Sequence, residues 1–300
     1  MFDLSDYAFL LQSLPVIVSI LKRALPTQIA SMAESSNLRL GLLASLFVAY
    51  ATLIPACRPA NAAEPAPQVS VVLVHGALTD ASVWSAVTRR LQRDGYTVLA
   101  PAMPLRGLSS DAAYLSSYLA PIQTPVVLVA HSWAGQVVTQ AASNESKVKA
   151  LIYVAAFEPD DGETAGALNS QFPGSRLGPD TTRVIPYPGG NALYLKPSRF
   201  QEVYAADVPA ETAAVMAAQQ RPIDPSALSE VLQGHAAWHT IPSWALVSTK
   251  DFSIPTAALR FMAKRAHSHT EEIESSHAIP VAHPDAVVKI IEEAARATVK

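Results

Sequence analysis

Of 300 residues only one is a cysteine, Cys57, so neither a disulfide framework nor a thiolate metal site can be built. Charge is sparse as well: 16% of residues are charged, 22 basic against 25 acidic, and neither sign forms a long run. A net charge of -3 so distributed leaves no footprint for nucleic acid or an anionic membrane surface. Internal repeats and low-complexity tracts are also missing, which excludes solenoid and linker architectures. What is abundant is apolar sequence, 50% of the chain, enough to bury one core of ordinary domain size and too much for a disordered protein.

The first sixty residues differ from the rest. Residues 40–54 form an apolar run of fifteen, preceded by Arg39 and followed by Ala60, Asn61, Ala62 and Ala63. A permanent membrane span needs about 20 apolar residues, whereas a short apolar run between a basic residue and small residues is the layout of a secretory signal peptide. A leader over 1–62, cleaved after Ala62, is therefore expected, with one domain over 63–300 that is secreted or periplasmic and keeps no stable membrane partner. Glu64-Pro65-Ala66-Pro67 reads as an extended lead into that domain.

Beyond it, short apolar runs alternate with helical patterns, the sequence form of a mostly parallel sheet flanked by helices; the strand candidates are 69–74, 97–100, 126–130, 148–155, 243–248 and the more polar 271–274. Val83, Trp84, Val87 and Leu91 recur at helical spacing with Gly95 as the stop, and Pro255 and Pro284 open later helices. Residues 158–241 break the rhythm. They hold nine prolines and helical patches at 209–220 and 225–233 but no clear strand, so they are expected to form a helical cap inserted before the strand at 243–248.

The most informative stretch runs from Val126 through Ala130, His131, Ser132, Trp133 and Ala134 to Gly135: a buried strand, a serine, then a helix. This is a nucleophile elbow, whose tight turn demands small residues two before and two after the serine. Ala130 and Ala134 occupy those positions, where G-x-S-x-G has glycines.

With this motif the chain resembles the α/β-hydrolase superfamily over essentially all of 69–300. His75-Gly76-Ala77-Leu78, after the first strand, is similar to that fold's HG motif, which implies an oxyanion hole from the backbone N–H groups of Ala77 and Trp133. A serine hydroxyl needs a base and an orienting carboxylate, and the superfamily order is serine, acid, histidine. Asp251, in Asp251-Phe252-Ser253-Ile254-Pro255, resembles the acid segment D-x-x-I/V-P, and His277, after the last strand, resembles the base. Rivals for the acid are Glu158, Asp160 and Asp161, which follow the preceding strand. His277 is one of eight histidines; His75 and His131 match positions that are structural in the superfamily. His235 and His239 stand four apart, a zinc-compatible spacing, but no acidic third ligand lies in register, which favours a cap or pocket-wall role and no metal.

Ser132, Asp251 and His277 together imply a serine esterase that hydrolyses small carboxylic esters through an acyl-enzyme, with no metal or organic cofactor and a small-molecule ester as its partner. The acid and base segments and Ala155-Ala156-Phe157-Glu158-Pro159-Asp160 are similar to the branch of plant methyl esterases and hydroxynitrile lyases. Those lyases carry a threonine where Gly76 stands and a lysine where Ala278 stands, so ester hydrolysis is the expected chemistry. Alternatives are a cofactor-free perhydrolase or haloperoxidase on the same triad, a lyase-like enzyme, or a binding protein on this scaffold. Leu78, Phe157 and Trp238 are expected against the substrate. Phe172, Tyr187, Tyr194, Phe200 and Tyr204 are further aromatics of the cap, with Arg176, Arg183, Arg199 and Arg221 as its charge-recognising groups.

Overall fold

The computed structural model describes residues 69–299; the leader expected over 1–62 lies outside them. Six strands form one parallel sheet: β1 (Ser70–Val74), β2 (Thr97–Leu99), β3 (Val126–His131), β4 (Val148–Val154), β7 (Ser243–Ser248) and β8 (His269–Ile273), in the spatial order β2-β1-β3-β4-β7-β8. Every residue of β1, β3 and β7 is buried, as strands covered on both faces require. The outer strands β2 and β8 are partly exposed. On β8, Glu271 and Glu272 pair with Lys289 and Arg260, which puts charge rather than apolar surface along that edge.

The helices follow from the apolar spacing. α1 (Ser85–Arg93) buries Val87 and Leu91, and Gly95, at φ +87°, turns the chain back into β2. α9 (Pro284–Thr298) begins with proline at its first turn and buries Val287, Val288, Ile290, Ile291, Ala294 and Ala295 across β3, β4 and β7, beside α1. α2 (Leu108–Leu119) packs on α3 (Ala134–Ala141), which in turn covers β3, and α7 (Thr256–Arg265) covers β7. A single-turn helix, α8 (Ile279–Ala282), precedes α9.

Between β4 and β7 lie α4 (Ala165–Ser170), α5 (Pro197–Tyr204), α6 (Ala210–Ala218) and a two-stranded antiparallel hairpin, β5 (Thr182–Tyr187) with β6 (Gly190–Leu195). The hairpin corrects the expectation of a cap without strands. Pro186 interrupts the strand pattern, and Pro188-Gly189 forms the two-residue turn with Gly189 at φ +96°. The helical patch expected at 225–233 is only a 3₁₀ turn, Pro225–Ser229: Glu230 is extended (φ −71°, ψ 134°), its carbonyl accepts from Gln136 Nε2 (2.9 Å), and the Leu232 N–H donates to the Glu163 carbonyl (2.9 Å), so these groups bond outside any helix. The last strand runs from His269 to Ile273, beginning two residues earlier than expected, with the His269 ring stacked on Trp244 of β7 at 4.9 Å between centroids.

Candidate active site

Ser132 sits between β3 and α3 with φ at +57°, a left-handed conformation that costs a non-glycine residue energy and lifts its side chain out of the turn. The surroundings hold it there. The Ser132 carbonyl accepts from Gly135 N–H (3.1 Å) and Phe157 N–H (3.2 Å), joining the elbow to the segment after β4. Ala130 and Ala134 are fully buried on either side. Two glycines are needed for contact rather than for torsion. A Cβ on Gly76 would stand 2.6 Å from Ser132 Cβ, and one on Gly135 2.0 Å from the Phe157 carbonyl oxygen. Trp133, also buried, donates its indole N–H to Asp111 at 3.4 Å; burial pushes the Asp111 carboxyl up, and hydrogen bonds from Arg106, Trp133 and Leu105 partly offset it.

His277 and Asp251 meet in the loops that follow β8 and β7. Nδ1 of His277 lies 2.6 Å from Asp251 Oδ2, and the two side chains are 1% and 0% exposed. The other carboxylate oxygen of Asp251 accepts from Ser253 N–H (2.7 Å) and Ile254 N–H (2.9 Å), so the carboxylate is held by its own turn. With Nδ1–H donating to Asp251, Nε2 carries the lone pair; among the described residues it has no hydrogen-bond partner, and His277 and Ser132 line the same cavity. The loop is braced from below: Ser248 Oγ donates to the Ser275 carbonyl and bonds the Ser276 carbonyl at 3.0 Å. His131 Nε2–H donates to the His277 carbonyl at 2.9 Å. Burial, and then the nearby His277, hold His131 well below the usual histidine range, so it is a neutral brace.

The Ala77 and Trp133 N–H groups donate to no backbone or side-chain acceptor among the described residues, and both residues line the cavity. The strand-end loop that presents Ala77 is fixed by His75, whose Nδ1–H donates to the Gly76 carbonyl (2.9 Å) while Nε2 accepts from Met103 N–H (2.9 Å). The cavity measures about 280 Å³ and is walled by Leu78, Phe157, Leu193, Ile223 and Leu228, with Asn169 and Thr182 among its few polar residues. Among the described residues no Asp, Glu, Lys or Arg lines it.

Leu78 and Phe157 thus lie where the sequence pattern put them, but Trp238 does not. Its indole N–H donates to the Pro159 carbonyl at 2.8 Å and its ring packs on His239, 3.8 Å between centroids, so it belongs to the junction of the cap's two ends. Of the other cap aromatics only Tyr204 reaches the cavity, edge-on to the His277 ring with centroids 4.7 Å apart. Phe200 stacks behind Tyr204, Phe172 packs on Phe261, and Tyr187 and Tyr194 lie beside Arg106 and Arg183. The arginines also point elsewhere: Arg176 and Arg199 pair with Glu202, and Arg221 is absent from the lining.

The rival acids make other contacts. Glu158 is buried against Ser268 Oγ (2.7 Å), and burial pushes its carboxyl up to about 8. Asp160 and Asp161 bind His239 and His235, each at 2.8 Å. The acidic neighbours that the histidine spacing lacks in sequence therefore come from the far end of the cap. Both Asp161 oxygens and Oδ1 of Asp160 accept from the Asp161, Ala236 and histidine N–H groups, and Arg265 stands 4.0 Å from Asp160 Oδ2, so the cluster reads as a staple. The sequence reading also missed Asp207, which accepts from Ser275 and Ser276 beside His277. No local motif marks it.

Residues 71–290 match the model of the alpha/beta hydrolase family. Among curated proteins, Alpha/beta hydrolase nvfD of Aspergillus novofumigatus (strain IBT 16806) is 24% identical over 250 residues, covering 75% of this chain and 96% of the relative. Methylesterase 7 of Arabidopsis thaliana is 33% identical over 108 residues, 31% of this chain and 42% of that protein. Among solved structures, a pyrethroid hydrolase from Sphingobium faniae JZ-2 superposes with a TM-score of 0.64 at 22% identity over 76% of this chain and 98% of its own, a likeness of fold. With the elbow, the six-stranded parallel sheet and a family match that spans most of its length, this chain belongs to the alpha/beta hydrolase family.

Proposed function

We propose that the protein is a serine esterase acting on small, uncharged carboxylic esters. The observation that carries this reading is the state of His277: Nδ1 tied to a buried carboxylate, Nε2 without a partner, and the cavity that holds it shared with a serine on a strained elbow. In the proposed reaction Ser132 Oγ attacks the ester carbonyl carbon while Nε2 of His277 takes the hydroxyl proton. The developing oxyanion accepts from the Ala77 and Trp133 N–H groups, and Asp251 stabilises the imidazolium. The C–O bond to the alcohol then breaks, His277 returns the proton to the leaving oxygen, and an acyl-Ser132 ester remains. Water, deprotonated by the same nitrogen, releases the acid and restores the serine.

The uncharged, mostly apolar wall supports neutral esters, and the modest cavity supports short acyl or compact aromatic groups. The names of the relatives, a methylesterase and a pyrethroid hydrolase, point the same way. Cyanohydrin cleavage by a side chain at position 76 is disfavoured, because any Cβ there collides with Ser132. The sequence of the leader supports a secreted or periplasmic enzyme whose mature chain begins at Ala63, which N-terminal mass spectrometry of the exported protein tests.

The deciding experiment is hydrolysis of chromogenic esters from acetyl to decanoyl by the mature chain and by Ser132→Ala. Turnover that is greatest for short acyl chains and lost in the variant is the expected result. No turnover of any ester, or equal turnover by the variant, would overturn the proposal.

A further inference from the structure

Asp207 lies in the cap, in the loop between α5 and α6, yet its side chain is spent on the loop that carries His277. One carboxylate oxygen accepts from Ser275 Oγ (2.7 Å) and Ser276 N–H (2.9 Å), and the other from Ser276 Oγ (2.5 Å). His283 Nε2 stands 3.5 Å away on the other side of the base loop. Three residues before Asp207, Tyr204 closes α5 with its ring against the His277 ring, while its hydroxyl bonds Thr79 Oγ1 at 3.3 Å. The 204–207 segment therefore holds the base from two directions, the ring by Tyr204 and the preceding backbone by Asp207. Cap contacts on the acid loop are different in kind: Arg176 N–H to the Phe252 carbonyl (2.7 Å), Ser175 Oγ to the Ser253 carbonyl (2.9 Å) and Ser253 Oγ to the Val203 carbonyl (3.1 Å), all without charge at the acceptor.

We infer that Asp207 is a positioning residue for the general base: by fixing Ser275 and Ser276 it sets the backbone from which the His277 imidazole reaches both Asp251 and Ser132, so that the cap completes the catalytic machinery as well as walling the pocket. Burial works against its ionised form, but the hydrogen bonds from Ser276 and Ser275 outweigh that and hold the carboxyl below the usual range, leaving a full charge to grip the loop at neutral pH. The consequence for rate follows from geometry, since a displacement on the order of 1 Å at a reacting group costs about 10²-fold. Its catalytic meaning rests on the esterase reading.

The test compares Asp207→Ala, Asp207→Asn, Ser276→Ala and the Asp207→Ala/Ser276→Ala double variant of the mature chain with the parent. Steady-state ester kinetics, thermal unfolding and the downfield NMR signal of the His277 Nδ1 proton are measured on each. Asp207→Ala is expected to lower kcat roughly 10- to 100-fold with KM within about threefold, and to broaden the downfield proton through faster exchange. Asp207→Asn, which keeps one acceptor oxygen, falls between. The double variant is expected to lose no more than the worse single one, because both remove the same contact. A kcat within about twofold of the parent in Asp207→Ala with an unchanged Nδ1 proton, whatever the melting temperature does, would overturn the inference, as would losses that multiply in the double variant. Should the parent hydrolyse no ester, the esterase proposal falls and the Nδ1 proton alone still decides whether Asp207 holds the base.

Discussion

The sheet and the cap hold their positions by different means. At the C-terminal edge of the sheet, Ser132, Asp251 and His277 each sit in the loop that follows a strand, and around Ser132 close backbone contacts leave almost no room to move. The cap consists of short helices and a hairpin whose Val184 and Ile185 are exposed, and to the packing of residues such as Leu168, Phe200 and Ile223 on the core it adds polar ties: the Asp160, Asp161, His235 and His239 staple at its ends, Arg265 on Glu163 at 2.6 Å, and Asp207 on the base loop. Backbone crowding fixes the Ser132 elbow, while separable polar ties hold the base loop and the ends of the cap. Substitutions in the two regions should therefore fail differently.

The largest effect is expected from Gly76→Ala. Its Cβ, 2.6 Å from Ser132 Cβ and 2.7 Å from the His131 carbonyl oxygen, must displace the serine, so ester kcat/KM should fall at least ~100-fold in a protein whose circular dichroism is unchanged. Retained activity would mean that the elbow is softer than the contact implies. Gly135→Ala should act on the fold: with Cβ 2.0 Å from the Phe157 carbonyl oxygen, denaturant unfolding should show a loss of about 3 kcal/mol.

Glu158 contributes a pH dependence. Its buried carboxyl, pushed up to about 8, keeps its proton in the folded chain where the unfolded chain has lost it. The folded state thus binds more protons, and stability falls as pH rises from the ordinary carboxyl range through about 8. His75 and His131, held low chiefly by burial, give the opposite slope below the histidine range, so the clean window lies above pH 7. There the parent should lose on the order of 1 kcal/mol per pH unit until the carboxyl ionises, and Glu158→Gln should flatten the curve. A parent curve already flat from pH 7 to 8.5 would place the ionisation elsewhere.

The smallest effect is expected at the cap junction. Trp238→Phe removes one hydrogen bond to Pro159, so it should cost about 1 kcal/mol in unfolding and leave kcat/KM for acetyl esters within about twofold. A large change in KM would bring Trp238 back to the substrate.

The same contrast explains what could be read from sequence. Most strands of the sheet announce themselves as apolar runs, and Ser132 and Asp251 could be singled out because each follows such a run within a short local pattern, whereas His277 follows the polar strand β8 and is marked by the likeness of its segment to the superfamily's base loop. The cap is legible only in outline. Pro186 and Pro188 hide the hairpin, although Pro188-Gly189 is its turn. Trp238, an aromatic of the cap, looks like a pocket residue, but its contacts are with Pro159 and His239 at the cap junction. Asp207 and its partners are separated by 68 and 69 residues, and Asp161 and His235 by 74, so no window of sequence contains both halves of either tie. Long-range polar pairing leaves no periodic trace.

The most direct measurement is the site of covalent capture by a serine-reactive phosphonate, read by peptide mass spectrometry on the mature chain. The proposed chemistry predicts a single adduct on Ser132, formed at a rate that collapses in His277→Ala. No adduct, or one on another residue, would contradict a serine nucleophile driven by His277.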